Sequence, residues 1–218
     1  MSRDHSVGGR PRLTTTEARS ARATTMNVAR RLGIGVMAGA VSGFVVGGLG
    51  GRLFMFVLAE LNPEESGVLT DDGVPIGQFT VSGTLNLLGI TTVIGVIGGL
   101  VFLALRGLRF GPQWFRVLSM PVGATIVVGS MLVHSDGVDF TLLQPVELGV
   151  AMTLAVPFLY TLLVAFLGDR WIGDDGGGRR VPAAVAWAAR AALTVLAVVA
   201  LVSLVSTVDD ILHPFQFD

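Results

Sequence analysis

Arg52 is the residue with the most chemistry to offer in the most apolar setting. It stands between Gly47-Gly-Leu-Gly-Gly51 and Leu53-Phe-Met-Phe-Val-Leu-Ala59. A guanidinium inside hydrocarbon costs roughly 2.5–3.5 kcal/mol on insertion scales unless it is paired or reaches an interface, so it marks either a functional position or a structural ion pair. The acids expected at the same membrane level are Glu147, Asp136, Asp139 and Asp209. A long Arg stem that reaches up to one of these carboxylates is the structural reading, and it competes with the functional one.

A second grouping surrounds these acids: His134, Asp136, Asp139, Glu147, Asp209, Asp210 and His213 hold two of the three histidines. Imidazole with carboxylate suits a divalent cation or a proton switch, and the set His134, Asp136, Asp209 and His213 is the one to weigh as metal ligands. Asp209 and His213 share a helix face at four-residue spacing if the last helix runs that far. No ligand motif such as H-E-x-x-H supports the set, and Glu147 in a helix's first turn is explained by the helix dipole. The expectation is no metal and no cofactor.

Other resemblances to chemical motifs fail on spacing. Asp71-Asp72-Gly73 lacks the later ligands of a calcium loop and reads as a turn. The glycines from Gly47 to Gly51 carry no G-K-[ST] and sit in an apolar run, which argues against a phosphate cradle. Ser130 or Ser135 beside His134 has no supporting motif, so no catalytic residue is assigned. Without cysteine, disulfides and thiolate sites are excluded.

The elements that must position these groups are apolar runs near twenty residues, enough to cross about 30 Å of hydrocarbon. The chain of 218 residues is 51% hydrophobic and 14% charged, far from the ordinary balance of about 25% charged. The fold class is therefore all-α: a polytopic membrane protein with five transmembrane helices. Residues 1–31 read as a disordered Arg-rich tail, and 32–168 as a four-helix core with outer loops at 62–82 and 134–145. Residues 169–181 read as a flexible linker, 182–208 as the fifth span, and 209–218 as the C-terminal tail. Asn62-Pro63 ends the first span, since the residue before proline is pushed out of the α region. A short hairpin about Asp72-Gly73 is expected in the loop that follows, and Pro157 is expected to kink the fourth span.

Charge sets the orientation. All fifteen basic residues are arginine, which points to a GC-rich bacterial source. Every one except Arg52 falls in the tail, in the connection after the second span or around the linker before the fifth. By the positive-inside rule the N-terminus is cytoplasmic and the C-terminus outside, in the bacterial plasma membrane. The tail adjoins the bilayer, so anionic lipid headgroups are its expected partner in place of nucleic acid.

Packing is expected to centre on one rhythm. Gly35, Gly39, Gly43, Gly47 and Gly51 recur every fourth position, and Gly95 and Gly99 repeat the spacing in the second span. On a helix this makes a ridge without side chains, which lets another backbone approach closely, in the second span or in a copy of the chain. The fifth span, rich in Ala and Val, is expected to pack more loosely.

The segments GGRLFMFVLAEL, TDDGVPIGQFTVSGTLNLLG, VHSDGVDF and LYTLLVAFLGDR resemble a group of small multi-span membrane proteins of actinobacteria with no assigned activity. The resemblance spans roughly residues 33–170 and implies a recurring architecture. It carries over no catalytic residue. The functional expectation is a structural or interaction component packed through the glycine ridge, either with copies of itself or with a membrane partner. A small transporter or channel subunit using Arg52 and the outer acids is the alternative, and a membrane-embedded enzyme the third.

Overall fold

The structure is a computed structural model and describes residues 15–69, 76–78, 80–135, 137, 140, 142–173 and 182–213. Asp71, Asp72, Asp136 and Asp139 lie outside that set. Among the described residues the architecture is all-helical. Five helices are long and apolar enough to cross a membrane.

The first is a continuous rod in three parts: α1 (Thr15–Ser42), a π-helical segment (Gly43–Gly50) and α2 (Gly51–Leu61). Asn62 ends it with φ −128°, ψ 63°, as the following proline requires. The rod begins well before residue 32. Ala18, Ala21, Ala23 and the arginines among them are good helix formers, and a helix already nucleated in the apolar run propagates outward at little cost. The expectation of a disordered tail over 1–31 is thus corrected for residues 15–31, which are helical, and residues 1–14 lie outside the described set.

Next comes α3 (Val81–Arg106), opened by Thr80, whose hydroxyl accepts from the Gly83 N–H at 3.1 Å. The connection to α4 (Gln113–Leu132) is short. Then α5 (Val146–Ile172) runs on past the predicted boundary at 168, until Gly173 takes a φ of 71° and leaves the helix. Finally, α6 covers Ala183–Leu212. Both α4 and α5 continue through their internal prolines, Pro121 and Pro157.

Packing divides the bundle into two triangles that share α5. On one side α3 lies antiparallel along α1 and the π-helical segment, and α5 covers α1. Ala38, Phe102, Val164 and Ala165 form its buried centre. On the other side α4 lies between α5 and α6, with Val133, Phe140, Val150 and Leu204 buried together. The last helix is thus docked chiefly on α4. Its contact is helped by Gly129, where a side chain would collide with Leu154 and meet Leu204 at 3.6 Å. The opposite faces of the long helices carry many exposed Val, Leu, Ile and Phe.

Of the expected hairpin, the described part is one bridge: Ile76 N–H donates to Val68 O at 2.8 Å and Gly67 N–H to Ile76 O at 2.9 Å.

Candidate functional site

Three polar constellations stand out from the apolar bundle: one at its centre and one at each end.

At the centre, glycine brings backbone against backbone. A methyl group on Gly39 would overlap the Gly95 carbonyl and lie 2.9 Å from Gly99 Cα; one on Gly43 would overlap Thr91 O and lie 2.9 Å from Gly95 Cα. Gly99 is filled in the same way by Gly35 and Gly39, and Gly35 also abuts Leu103. At Gly47 the neighbour is the Thr91 side chain, 2.9 Å away. Gly51 departs from the series, because a methyl there would make only an ordinary contact with Leu87, at 3.8 Å. The five-residue hydrogen-bonded turn of the π-helical segment breaks the four-residue rhythm just before it. Gly48, beside Gly47 in the widened turn, packs against Leu88.

Close approach exposes carbonyls to new partners. Tyr160, the single tyrosine, reaches across from α5 and donates to Gly95 O at 2.7 Å, with its ring lying where Gly98 has no side chain. Thr91 and Thr92 bond back to Leu87 and Leu88 in their own helix at 2.8 and 2.6 Å. Ser42, the last residue before the π-helical segment, is fully buried, and its hydroxyl bonds to none of the described residues.

At the acidic end Arg52 is half-buried, and its Nη2 lies 3.2 Å from where a Cβ on Gly83 would be, in the first turn of α3. The absent side chain at Gly83 leaves room for the guanidinium. Of its four candidate carboxylates, Asp136 and Asp139 fall outside the described residues. Glu147 is exposed in the first turn of α5, and Asp209 is exposed and bonded to His213 at 3.1 Å. The four-residue pairing on the last helix is therefore present. His134 turns instead to its own backbone, Nδ1 3.2 Å from Leu132 O. No group of three or more metal-ligating side chains is assembled among the described residues.

The same end holds a tie that residue types alone did not single out. Asn62 is 5% exposed and its amide is used on both sides: Nδ2 donates to Leu58 O at 2.8 Å and to Gln144 O at 3.0 Å, while Oδ1 accepts from Gln144 N–H at 2.7 Å. This locks the two interhelical loops together over the cluster Leu58, Ile76 and Leu143.

The basic end is the most strongly bonded. Arg109 donates through both Nη atoms to the two oxygens of Asp169, at 2.8 and 2.7 Å, a fork-to-fork pair. Arg106 joins the same carboxylate through Nε at 3.0 Å and reaches Gly173 O at 3.2 Å through Nη2. The Arg109 side chain is 7% exposed and lies 5.5 Å above the Phe102 ring. That ring packs against α5 because Gly168 has no side chain to meet it. Arg190, from α6, donates its Nε–H to Leu108 O at 3.0 Å. One carboxylate at the end of α5 thus collects the α3–α4 connection, and α6 binds the same connection through a carbonyl.

Chemically, the described arrangement holds shape: the Asp169 carboxylate, the Asn62 amide and the Arg106 and Arg109 guanidinium groups are spent on one another and on backbone. Compared with protein-family models, curated proteins and solved structures, the chain matches none.

Proposed function

We propose that the protein is a multi-pass component of a bacterial plasma membrane, of the kind the actinobacterial resemblance implies, that acts by holding a rigid shape and presenting its two ends to partners. The observation that carries this is the backbone-level contact of α1 with α3 over Gly35 to Gly43 and Thr91 to Gly99. Such a contact, used as a glycine zipper, associates helices where the hydrophobic effect between them is absent. It also leaves no lumen between them. The described charged groups lie toward the two ends, as an interaction component would need.

Five spans put the termini on opposite faces. The arginines of the tail, of the α3–α4 connection and around the start of α6 argue for a cytoplasmic N-terminus. The tail then faces anionic headgroups, and the acidic loops face outward. A C-terminal tag should be reached by an impermeant reagent in intact cells; protection of the tag would refute the odd number of spans.

A small transporter or channel subunit is the second reading, favoured by the π-helical segment next to Arg52 and the buried hydroxyl of Ser42. Arg52→Ala and Arg52→Lys separate the two. The structural role predicts loss of assembly and thermal stability with Ala and tolerance of Lys. Intact stability with loss of an ion or solute flux in proteoliposomes would favour transport.

A further inference from the structure

Arg190 carries hydrogen-bonding capacity that the other described residues do not use. It lies two turns into α6, with Nε–H bonded to Leu108 O, and its guanidinium carbon is 4.6 Å from the Phe110 ring centre and 5.5 Å from that of Trp187. The carbonyl fixes the direction of the side chain, and the rings fix the plane of its head. Neither Nη atom bonds to a described residue. An arginine held this way is a preorganised fork of N–H donors, the geometry that matches two oxygens of a phosphate.

Its surroundings favour an anion. Arg106 and Arg109 flank Leu108 in the chain and share the one carboxylate of Asp169, so among the described residues the cations at this connection outnumber the acid they bind. They also favour a lipid over a free ion. Phe110 is 49% exposed and Trp187 66% exposed at the ends of apolar helices, where aromatic rings border the headgroup layer. Those rings offer glycerol and upper acyl carbons a surface for which inorganic phosphate has no use.

We propose that Arg190, Phe110 and Trp187 form a seat for the phosphodiester headgroup of an anionic phospholipid. The lipid would fasten α6 to the α3–α4 connection, adding to the Arg190–Leu108 hydrogen bond. The site rests on reading α6 as a membrane span, and it is distinct from the N-terminal tail.

The test uses the full chain in mild detergent, after a carbonate wash of the membranes. Retained lipid is read by native mass spectrometry and stability by thermal unfolding. Phosphatidylglycerol, phosphatidylcholine of the same acyl chains, and inorganic phosphate are the probes. Phosphatidylglycerol should be retained about fivefold over phosphatidylcholine and raise the unfolding temperature, the scale of one arginine acting on one headgroup charge. Arg190→Gln should remove the preference. Arg190→Lys should lose most of it, since an ammonium gives charge without the fork. Equal retention of the two lipids by the native protein overturns the proposal, as does a preference that survives Arg190→Gln. An equal effect of inorganic phosphate overturns the lipid as occupant. If Arg190→Gln does not fold, Phe110→Leu and Trp187→Leu free the guanidinium without removing its charge, and an unchanged preference in both overturns the seat. Release of the chain by carbonate refutes the span itself, and the site with it.

Discussion

Tyr160 hydrogen-bonds the carbonyl of Gly95 at 2.7 Å, on the residue whose bare Cα packs against Gly43. One glycine therefore serves two contacts: its missing side chain admits α1, and its carbonyl anchors α5. The three helices of the first triangle meet at this point. Removing the hydroxyl with Tyr160→Phe keeps the ring in place and should lower stability by about 1 kcal/mol. Thermal unfolding in detergent reads this, and an unchanged midpoint would mean the hydroxyl adds nothing to the ring's packing.

Glycines in the bundle should divide sharply by what faces them. Gly43→Leu and Gly95→Leu push a side chain into the opposing backbone and should cost about 3 kcal/mol or more, with loss of the folded fraction. Gly89, by contrast, has open space where a side chain would go. Gly89→Ala should raise stability by up to about 1 kcal/mol through helix propensity alone. Size-exclusion profiles and unfolding midpoints of the three variants decide the matter, and a bundle indifferent to Gly43→Leu would sink the close-contact reading.

Asp169→Asn withdraws the carboxylate from two arginines, one of them 7% exposed. The cost should be about 1–3 kcal/mol, below that of a fully buried pair because Asp169 itself is 41% exposed. The double variant with Arg109→Gln should recover part of the loss, since the buried guanidinium is then gone and only the more exposed Arg106 is left without its acid. Additive costs in that cycle would show that the pair contributes no coupling.

Asn62→Ala strands the N–H and carbonyl of Gln144 and should cost about 2 kcal/mol. Because the tie holds the two loops at the acidic end, the variant's loops over 62–82 and 134–145 should be cut faster by added protease. Cleavage at the native rate would assign the loops' order to the apolar cluster beneath them.

These contacts differ in how far they could be read from residue order. The five long apolar helices rest on local facts: apolar length, Asn62-Pro63 as a stop and glycine spacing as a face. All of these survive when the chain is viewed one window at a time. The Asp169 pair could not be read that way. Sixty positions separate it from Arg109, and polar composition alone made residue 169 look like linker, whereas the helix continues to Ile172. The same holds for Asn62 with Gln144 and for Arg190 with Leu108: each joins a side chain to a distant backbone group, and backbone groups carry no signature in sequence. Gly168 had a weaker clue, as a small residue one step before Asp169. Only the ring of Phe102 gives it meaning.

The π-helical segment makes one continuous rod show two unlike surfaces to the same neighbour. Below it and at its first residue, the rod meets α3 at Gly39 and Gly43 with backbone directly against backbone. Above it the phase has slipped by one residue, so the position facing the start of α3 falls to Arg52 instead of Gly51. A helix break could achieve the same change, but it would strip hydrogen bonds from backbone in an apolar medium. A widened turn keeps them. The cation is delivered to the end of α3 by a change of pitch, and glycine is the residue type that yields to that change most readily.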